Sequence, residues 1–434
     1  MMKICMIGTG YVGLVSGTCF ADIGHTVYCV DKNENIINKL NSGKSTIYEP
    51  GLDELIRENY KSKRLLFTSN ISEALNKSDI IFICVGTPNK KKSSTVDLKY
   101  VFNVANEISK LSKKKKIIVT KSTVPVGTGD LIEKILKNKN RFTVISNPEF
   151  LREGEAVRDF RYPDRIIIGS NKKNSFKIMK KLYLPLIKKG ASFFTTNRRG
   201  AELIKYSSNA FLATKITFIN EIANLCEKTG INIEDIALGM GSDKRIGSRF
   251  LRAGPAYGGS CFPKDTKGLV SIGDKVNINL SLVKSVIKSN EKRKKILLDR
   301  VHNILGKNIK NKKIVFLGVT FKPNTDDMRD SVSLTMIPYL HKKGAKISYY
   351  DPTGEKKEFY KLKSCKFYNE IKSACNNTDL VILHTEWDEF KSLDFHKIVK
   401  NKKFILYDLR NLYSPEEMSK KRIKYYSIGR PILN

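Results

Sequence analysis

The fold of this 434-residue chain is decided near its start by Gly8-Thr9-Gly10-Tyr11-Val12-Gly13, which follows the apolar run Ile4–Ile7. Only glycine permits the tight turn, the close approach of the backbone to a pyrophosphate and the close packing of the next helix on the strand. The free N–H groups and the dipole at the start of that helix favour phosphate. This stretch therefore predicts a dinucleotide site of the Rossmann type.

An acidic residue at the end of the second apolar run supports this prediction. The run Thr26–Val30 is followed by Asp31, 18 residues after Gly13, where a ribose-binding carboxylate is expected. Its charge would bind the ribose hydroxyls and repel a 2′-phosphate, so we expect NAD rather than NADP as the cofactor. A glycine turn without a ligand is the alternative.

Short apolar runs alternate with amphipathic stretches in the first and last parts of the chain, as in doubly wound α/β sheets. The predicted strands are Ile4–Ile7, Thr26–Val30, Asp79–Val85, Lys116–Thr120, Phe142–Ser146, Lys313–Leu317, Lys346–Tyr350, Leu380–His384 and Phe404–Tyr407. Long helices are predicted over Glu202–Cys226 and Ser281–Leu305, where they would serve as a spacer and a dimer surface. We predict an α/β fold with Rossmann-like domains at residues 1–198 and 310–434, joined by a central helical domain at residues 199–309.

The charge of the chain is strongly positive. Its formal net charge is +36, from 79 Lys and Arg against 43 Asp and Glu. A nucleic-acid-binding protein would cluster basic and aromatic residues, whereas here they are scattered along the whole chain. The run Lys113–Lys116 is predicted to be a solvated helix end before a strand. Composition thus disfavours a nucleic-acid partner, and an anionic small substrate fits the charge equally well.

Cysteine and histidine usage argues against structural cross-links. The eight cysteines contain no Cys-x-x-Cys pair, and the five histidines show no metal-ligand spacing, so we predict neither a disulfide framework nor a metal. The sequence has no stretch of 18 or more apolar residues, and its apolar start ends in the glycine turn instead of a cleavage site. These observations predict no membrane span and a cytoplasmic location.

One cysteine stands in a setting suited to chemistry. Cys261 follows Gly258-Gly259, which let the backbone approach a bulky group, and precedes Pro263, which suits the first turn of a helix. A helix N-terminus and the neighbouring Lys264 both favour a thiolate. Asp265 lies four residues on, on the same helical face, and could position a water or take a proton. We predict that Cys261 is a nucleophile; the alternative is a buried inert thiol.

Further polar residues are candidates for the same site. Lys205 and Asn209 lie four apart in an otherwise apolar helical pattern and could donate to a developing oxyanion; the alternative is a solvent-reaching lysine and a surface asparagine. The segment Asn147–Glu153 follows a strand, so it faces the cofactor end of the sheet or forms an exposed helix start. The loops Cys84–Pro88 and Lys121–Pro125 also follow strands, and they are either cofactor contacts or plain loops.

Seven motifs together resemble the UDP-glucose/GDP-mannose dehydrogenase family of nucleotide-sugar 6-dehydrogenases, in this family's order and over nearly the whole chain. The stretch Gly-Gly-Ser-Cys-Phe-Pro-Lys-Asp is highly specific, and the others corroborate it. The motifs are Gly8–Gly13, Tyr48–Leu52, Lys121–Pro125, Asn147–Leu151, Ala201–Asn209, Tyr257–Asp265 and Gly318–Pro323.

This resemblance implies an NAD-dependent four-electron oxidation of a nucleotide sugar. UDP-glucose is the first expectation for the substrate, with UDP-glucuronate as the product. The C6 alcohol gives one hydride and becomes an aldehyde, which adds to Cys261 as a thiohemiacetal. A second hydride leaves a thioester that water releases. Carried over by motif, Lys205 and Asn209 stabilise the oxyanions, and Asp265 assists the water.

The resemblance also assigns the remaining residues. Thr123 and Glu153 are expected beside the reacting centre, and Arg245 is expected to reach the substrate across a homodimer. Cofactor contacts are expected from Gly8, Gly10, Tyr11, Val12, Gly13, Asp31, Lys32, Gly86, Thr87, Thr123, Glu153, Lys264 and Arg329. Substrate contacts are expected from Glu149, Phe150, Leu151, Arg152, Lys205, Asn209, Arg245, Phe250, Leu251, Arg252, Tyr257, Gly258, Phe321, Lys322 and Arg410.

The last α/β domain lacks Gly-x-Gly-x-x-Gly, since Gly318-Val319-Thr320-Phe321-Lys322 stands in its place. It is therefore expected to bind UDP rather than a dinucleotide, with Lys322 supplying charge for phosphate. Two alternatives stay open. One is the same chemistry on GDP-mannose or a UDP-N-acetylhexosamine, and the other is a two-electron NAD-dependent alcohol dehydrogenase, which would not need Cys261.

Overall fold

The computed structural model describes residues 1–89, 95–137 and 140–432, and the chain forms two compact units. The first unit comprises residues 1–208 and 268–278, and the second comprises residues 209–267 and 279–434. Each unit contains one largely parallel sheet with helices. The predicted domain boundaries at residues 198 and 309 stay a prediction.

The first unit contains an eight-stranded sheet. Its strands are β1 (Lys3–Ile7), β2 (Thr26–Val30), β3 (Leu65–Thr68), β4 (Ile80–Ile83), β5 (Lys116–Thr120), β6 (Phe142–Ser146), β7 (Arg165–Gly169) and β8 (Ser192–Thr196). The spatial order is β3-β2-β1-β4-β5-β6-β7-β8, and all neighbours are parallel except β6 and β7. The chain direction across the sheet reverses at β1, so the expected ligand crevice lies at the carboxyl ends of β1 and β4.

Both faces of this sheet are covered, as a parallel sheet requires. On one face Ile4 and Met6 of β1 pack in a buried cluster with Phe20, and on the other face Cys5 and Ile7 belong to a second cluster. The helices before the central region are α1 (Tyr11–Asp22), α2 (Glu34–Asn41), α3 (Leu52–Lys61), α4 (Ile71–Lys77), α5 (Lys99–Leu111), α6 (Thr128–Leu136), α7 (Ala156–Arg161), α8 (Lys173–Leu182) and α9 (Leu184–Ile187).

Four helices make up the central region: α10 (Arg198–Thr229), α11 (Ile233–Gly241), α12 (Phe262–Lys275) and α13 (Ser281–Leu305). Helix α10 extends beyond the predicted Glu202–Cys226 at both ends, and α13 has the predicted bounds. Within the described ranges, no helix combines the length and apolarity needed to span a bilayer.

The second unit contains a six-stranded parallel sheet. Its strands are β9 (Lys313–Leu317), β10 (Lys346–Tyr350), β11 (Cys365–Phe367), β12 (Leu380–Leu383), β13 (Ile405–Asp408) and β14 (Lys424–Ser427). The spatial order is β11-β10-β9-β12-β13-β14. The helices are α14 (Ser333–Lys342), α15 (Ile371–Cys375), α16 (Phe395–Ile398) and α17 (Pro415–Lys420), with short 3₁₀ helices at Lys357–Phe359 and Asp388–Phe390.

The predicted fold class, two Rossmann-like sheets and a helical central region, is confirmed. Each predicted strand is present, with ends shifted by two residues at most. The solvated position predicted for Lys113–Lys116 is wrong for Lys116. This residue begins β5 and is buried, and its ammonium donates to the carbonyl of Ser78. Burial lowers the pKa of Lys116.

Candidate active site

The glycine stretch forms the turn between β1 and α1. A Cβ at position 13 would lie 1.9 Å from the carbonyl oxygen of Gly8, so only glycine fits where the helix packs on the turn. Gly8 itself has a φ of +98°, which glycine adopts without strain. A Cβ at Gly10 would have none of the described atoms within 4 Å. The outer side of the turn is therefore open where α1 presents its first N–H groups to a phosphate.

Asp31 lies beside this turn, directly after β2, and is partly exposed. Its Oδ2 accepts from the N–H of Thr9 at 3.1 Å and from the hydroxyl of Thr9 at 2.9 Å. Its Oδ1 accepts from the N–H of Asn33 at 3.0 Å. An ionised carboxylate offers about four acceptor sites, so Asp31 can still accept from ribose hydroxyls. The next residue, Lys32, is exposed, with Nζ 5.8 Å from the centroid of the Tyr100 ring.

Tyr11 contacts a buried carboxylate. Its hydroxyl donates to Glu49 and accepts from the N–H of Gly154 at 2.8 Å. Glu49 also accepts from the N–H groups of Gly154 and Ala156, each at 2.7 Å. These bonds fasten the segment before α7 to the start of α1, next to the partly buried Val12. The hydroxyl of Tyr11 thus binds Glu49 and the backbone at Gly154. A contact between Tyr11 and the cofactor stays a prediction.

The loops after β4 and β5 meet at the carboxyl edge of the sheet. The hydroxyl of Ser122 donates to the carbonyl of Val85 at 2.7 Å and joins the two loops. Gly86 is exposed and Thr87 partly buried in the first loop, and Thr123 is partly buried in the second. The fold therefore brings these predicted residues to the edge of the sheet that carries the glycine turn.

A buried ion pair joins Glu149 to Lys205. The Nζ of Lys205 lies 3.4 Å from Oε1 of Glu149, and the two side chains are only 4% and 5% exposed. Oε2 of Glu149 accepts from the N–H of Leu151 at 2.5 Å. The Nζ of Lys205 lies 5.1 Å from the centroid of the Phe150 ring. Lys205 is therefore a buried, paired lysine and not the solvent-reaching lysine of the alternative interpretation.

A second buried lysine, Lys121, lies near the same carboxylate. Burial lowers the pKa of Lys121 to about 8, against the opposing effects of Cys84 and Glu149. Its Nζ donates to the hydroxyl of Tyr183 at 3.5 Å, and this hydroxyl donates to Asn147 at 2.6 Å. Two buried lysines thus lie near one buried carboxylate, that of Glu149.

Arg152 and Glu153, the last two residues of the segment Asn147–Glu153, have different surroundings. The guanidinium of Arg152 donates to Asp159 at 2.6 and 2.9 Å and pairs with Glu155 at 2.6 Å. These ion pairs use the head group that a substrate contact would need, so this contact of Arg152 stays a prediction. Glu153 is buried.

In the second unit, Cys261 directly precedes α12, as its sequence setting predicts. The N–H of Asp265 donates to the carbonyl of Cys261 at 2.8 Å, and Sγ lies 3.4 Å from the hydroxyl of Ser260. Asp265 is fully buried and accepts from Nδ2 of Asn209 at 2.6 Å and from Nζ of Lys264 at 2.6 Å. Asn209 is therefore a buried partner of Asp265 and not a surface residue.

The two glycines before the thiol pack against the loop after β9. A Cβ at Gly258 would lie 2.5 Å from the carbonyl oxygen of Asp330. Gly259 has a φ of +78°, and a Cβ there would lie 2.7 Å from the ring of Phe321. The N–H of Gly259 donates to the carbonyl of Arg329 at 2.8 Å. Glycine is thus required at both positions because the thiol loop touches the Phe321 loop.

Arg410 fastens the same loop. Its guanidinium donates to the carbonyls of Phe321 at 2.7 Å and His384 at 2.8 Å, and its Nε lies 3.0 Å from Glu386. Arg252 donates to the carbonyl of Arg410 at 3.1 Å. The structure therefore brings together the predicted substrate residues Arg252, Phe321 and Arg410.

An aromatic group borders the thiol loop. The rings of Phe250 and Tyr257 lie 6.2 and 6.1 Å from the ring of Phe262, which begins α12. Phe250 has a φ of +66°, and Leu251 is buried. The amide of Asn290 holds the backbone of Tyr257 by accepting from its N–H at 3.0 Å and donating to its carbonyl at 3.1 Å.

Three basic residues predicted to contact a ligand, Arg245, Arg329 and Lys322, lie near neighbouring side chains of the protein itself. Arg245 is 89% exposed and pairs with Asp243 at 2.6 Å. Arg329 pairs with Asp327 at 2.8 Å. The Nζ of Lys322 lies 5.9 Å from the centroid of its neighbour Phe321. Their ligand contacts stay predictions.

Comparison with known proteins assigns the family. Family models of the UDP-glucose/GDP-mannose dehydrogenase family match residues 2–187 (NAD binding domain), 199–292 (central domain) and 315–415 (UDP binding domain). The chain is 48% identical to a UDP-glucose 6-dehydrogenase of Rhizobium meliloti (strain 1021), over 99% of this chain and 100% of the relative. It is 44% identical to UDP-glucose 6-dehydrogenase TuaD of Bacillus subtilis (strain 168), over 99% and 94%.

A solved structure agrees with these sequence relatives. The structure of a UDP-glucose dehydrogenase from the archaeon Pyrobaculum islandicum superposes with a TM-score of 0.90 at 33% identity, over 98% of this chain and 97% of that one. Fold and site thus define the class of NAD-dependent dehydrogenases. Within this class, the chain belongs to the UDP-glucose/GDP-mannose dehydrogenase family. The predicted resemblance, nucleotide-sugar substrate class and NAD cofactor are confirmed at this level.

Proposed function

We propose that the protein oxidises UDP-glucose to UDP-glucuronate in two NAD-dependent steps, with Cys261 as the covalent nucleophile. The observation that carries this proposal is the setting of the thiol, which directly precedes α12 behind two glycines and next to the buried pair of Asp265 and Asn209. The substrates in the names of the relatives support UDP-glucose. A dehydrogenase that stops at the aldehyde would have no use for such a thiol.

The residues of the chain carry the proton and acyl chemistry. Lys205 stabilises the charge that develops on the C6 oxygen as the alcohol gives its proton to a water molecule and loses a hydride. The thiolate of Cys261 then forms a bond to C6 of the aldehyde, and Asn209 donates to the oxyanion of the resulting thiohemiacetal. Loss of the second hydride from C6 leaves a thioester.

Hydrolysis of the thioester releases the product. Asp265 takes a proton from the water that attacks C6, and the C–S bond breaks with the sulfur leaving as a thiolate. Thr123 and Glu153 are assigned to hold water beside this carbon. NAD, when bound, supplies the hydride acceptor for both oxidations.

The ligand contacts follow the two sheets. The glycine turn, Asp31 and the loops after β4 and β5 fit NAD because the turn is open at Gly10 and Asp31 keeps acceptor sites. The Phe321 loop, with Arg410 and Lys322, is assigned to the nucleotide sugar.

A homodimer in the cytoplasm is the proposed state of the protein. Phe211, Phe218 and Leu225 lie seven residues apart on α10 and are 66%, 45% and 58% exposed. Such a stripe is the seam that a second helix covers, and Arg245 would then reach the partner's substrate. The eight cysteines all lie within the described residues and form no disulfide there, as in a reducing compartment.

A substrate panel tests this function. Purified protein is mixed with NAD and, in separate assays, with UDP-glucose, UDP-galactose, UDP-N-acetylglucosamine, UDP-N-acetylmannosamine or GDP-mannose, and kcat/KM is measured from NADH absorbance. UDP-glucose is expected to exceed each of the others by at least about a hundredfold, a difference of nearly 3 kcal/mol in transition-state stabilisation. A larger kcat/KM for another sugar would assign the enzyme to that sugar.

A further inference from the structure

A buried carboxylate on α10 caps the helix that follows the Thr123 loop. Glu202 accepts from the N–H of Gly127 at 2.6 Å through Oε2 and from the N–H of Gly129 at 2.8 Å through Oε1. The hydroxyl of Ser146, at the end of β6, donates to the same Oε1 at 3.2 Å. One side chain thus satisfies two N–H groups at the start of α6, where backbone donors lack helical partners.

The turn is shaped to admit this carboxylate. A Cβ at Gly129 would lie 3.0 Å from Oε1 of Glu202 and 3.2 Å from the hydroxyl of Ser146. Gly127 has a φ of +90°, which turns its N–H toward the cap without strain. Both glycines therefore allow the Glu202 carboxylate to bind the turn before α6.

The cap stands between two residues that the proposed function uses. Glu202 precedes Lys205 by one helical turn on α10, and the capped turn directly follows the loop of Thr123. Thr123, Glu202 and Lys205 line one small cavity of about 10 Å³. A movement of the turn would therefore change the position of Thr123 relative to Lys205.

We propose that Glu202 is a positioning residue for catalysis: by binding the turn at Gly127 and Gly129, it holds the Thr123 loop in register with Lys205. This inference rests on the proposed function for the roles of Thr123 and Lys205. Glu202 itself does not touch the reacting atoms in this account; it acts through the backbone of the turn.

The first test removes one acceptor. In the Glu202→Gln variant the amide nitrogen replaces an oxygen that accepts from an N–H, so one backbone donor loses its partner while the side-chain size is kept. We expect kcat on UDP-glucose to fall roughly ten- to a hundredfold, because a misplacement of about 1 Å has an effect of this size. The KM for UDP-glucose and the Kd for NAD should stay within about threefold of wild type.

A second variant reaches the same contact from the other side. Gly129→Ala places a methyl group against Oε1 of Glu202, although alanine favours a helix by about 1 kcal/mol over glycine. It should reproduce the fall in kcat without a loss of helix stability, and it keeps the test open if Glu202→Gln does not fold. Asp130→Asn is the matched control, since Asp130 lies on the same helix and pairs with Arg198, which keeps Glu133 as a partner.

Amide hydrogen exchange measures the cap independently of turnover. Exchange in the peptide from Ser122 to Leu131 should be faster in Glu202→Gln than in wild type, and unchanged in Asp130→Asn. Unchanged exchange in Glu202→Gln, or a kcat within twofold of an active wild type in both variants at the cap, would overturn the proposal. If wild type fails to oxidise UDP-glucose, the proposed function is at fault, and the exchange result still decides whether Glu202 holds the turn.

Discussion

The six-stranded sheet and the first six strands of the eight-stranded sheet have the same order around a central strand, yet the chain leaves that strand differently in each. After β1 the chain turns through the glycine stretch, and α1 begins at Tyr11. After β9 it runs through a long loop, and α14 begins only at Ser333. The first sheet therefore presents a helix N-terminus directly behind its turn, whereas the second presents the Phe321 loop, which packs on the thiol loop.

The acids that follow the second strand of each sheet show the same contrast. Asp31 is partly exposed and keeps acceptor sites. Asp351 is 2% exposed and accepts from the N–H groups of Val319 at 2.8 Å and Thr320 at 3.3 Å, with Lys356 at 3.5 Å. A shared topology thus places an acid at the same point twice, but Asp31 stays accessible to a ligand whereas Asp351 is buried against the protein's own backbone.

The largest expected effect concerns the thiol whose loop packs against the Phe321 loop. Cys261→Ser should lower net turnover by on the order of a thousandfold or more, since loss of a covalent nucleophile has effects of this size or larger. The Kd for NAD should stay within about threefold of wild type. Cys365→Ser, at a partly buried cysteine on β11, is the control and should remain active. Steady NADH production by Cys261→Ser at a near wild-type rate would rule out the covalent mechanism.

Removal of the second acid should damage stability and not cofactor choice. Asp351→Ala leaves the buried Lys356 without its carboxylate, and breaking such a pair costs about 3 kcal/mol. Trp387 is the single tryptophan and lies in the second unit, so its fluorescence during urea unfolding reports on this unit. The unfolding midpoint should fall while the preference for NAD over NADP stays unchanged. An unchanged midpoint would show that Asp351 has no supporting role.

A third acid, the buried Glu202, extends the comparison to the pH dependence of stability. Burial raises the pKa of Glu202 to about 7, and Asp130, another acid, adds to this shift. Between the ordinary carboxyl pKa of 4.5 and the raised value of about 7, the folded state binds more protons than the unfolded state. The stability from this group is therefore present near pH 5 and is lost as pH rises toward 8. The loss should be roughly 2 kcal/mol.

Glu202→Gln removes the titrating group and should therefore flatten this pH dependence. The free energy of unfolding of the variant is compared with that of wild type at pH 5 and pH 8. Unfolding in urea is monitored by the hydrogen exchange of peptides from β5 and β6. Other titrating groups are common to both proteins and cancel in the difference. Equal pH dependence in the two proteins would mean that Glu202 is ionised throughout this range.

The smallest expected effect concerns the exposed acid. Asp31→Ala should weaken NAD binding by about tenfold, which corresponds to one or two lost hydrogen bonds, and should relax the discrimination against NADP. Thermal stability should change little because Asp31 is partly exposed. An unchanged ratio of NAD to NADP affinity would show that Asp31 does not bind the ribose.

Much of the fold could be predicted because glycine stretches and apolar runs leave local patterns. Five strands were not predicted, β3, β7, β8, β11 and β14, although four of them have four or five residues, as the predicted strands do. Strand β8, for example, is mostly exposed and shows no apolar run long enough to stand out. Short strands take their stability from pairing with neighbours, which a local sequence pattern does not contain.

The positions of Cys261 before α12 and of Asp31 after β2 could be predicted because their chemistry demands a residue type, and their roles stay predictions. Glu49 and Glu202 could not be assigned in this way. They accept from backbone N–H groups 105 residues away at Gly154 and 75 residues away at Gly127. An acid that binds the backbone needs no particular partner side chain, so the sequence carries no matching residue to reveal the contact.

The most direct test of the central claim is the amount of NADH formed for each UDP-glucose consumed. Limiting UDP-glucose is converted to completion with excess NAD, NADH is measured by absorbance, and UDP-glucuronate is measured by chromatography. We expect two NADH and one UDP-glucuronate per sugar, because the thiol of Cys261 retains the aldehyde for a second oxidation. One NADH per sugar, with a free aldehyde as product, would contradict it.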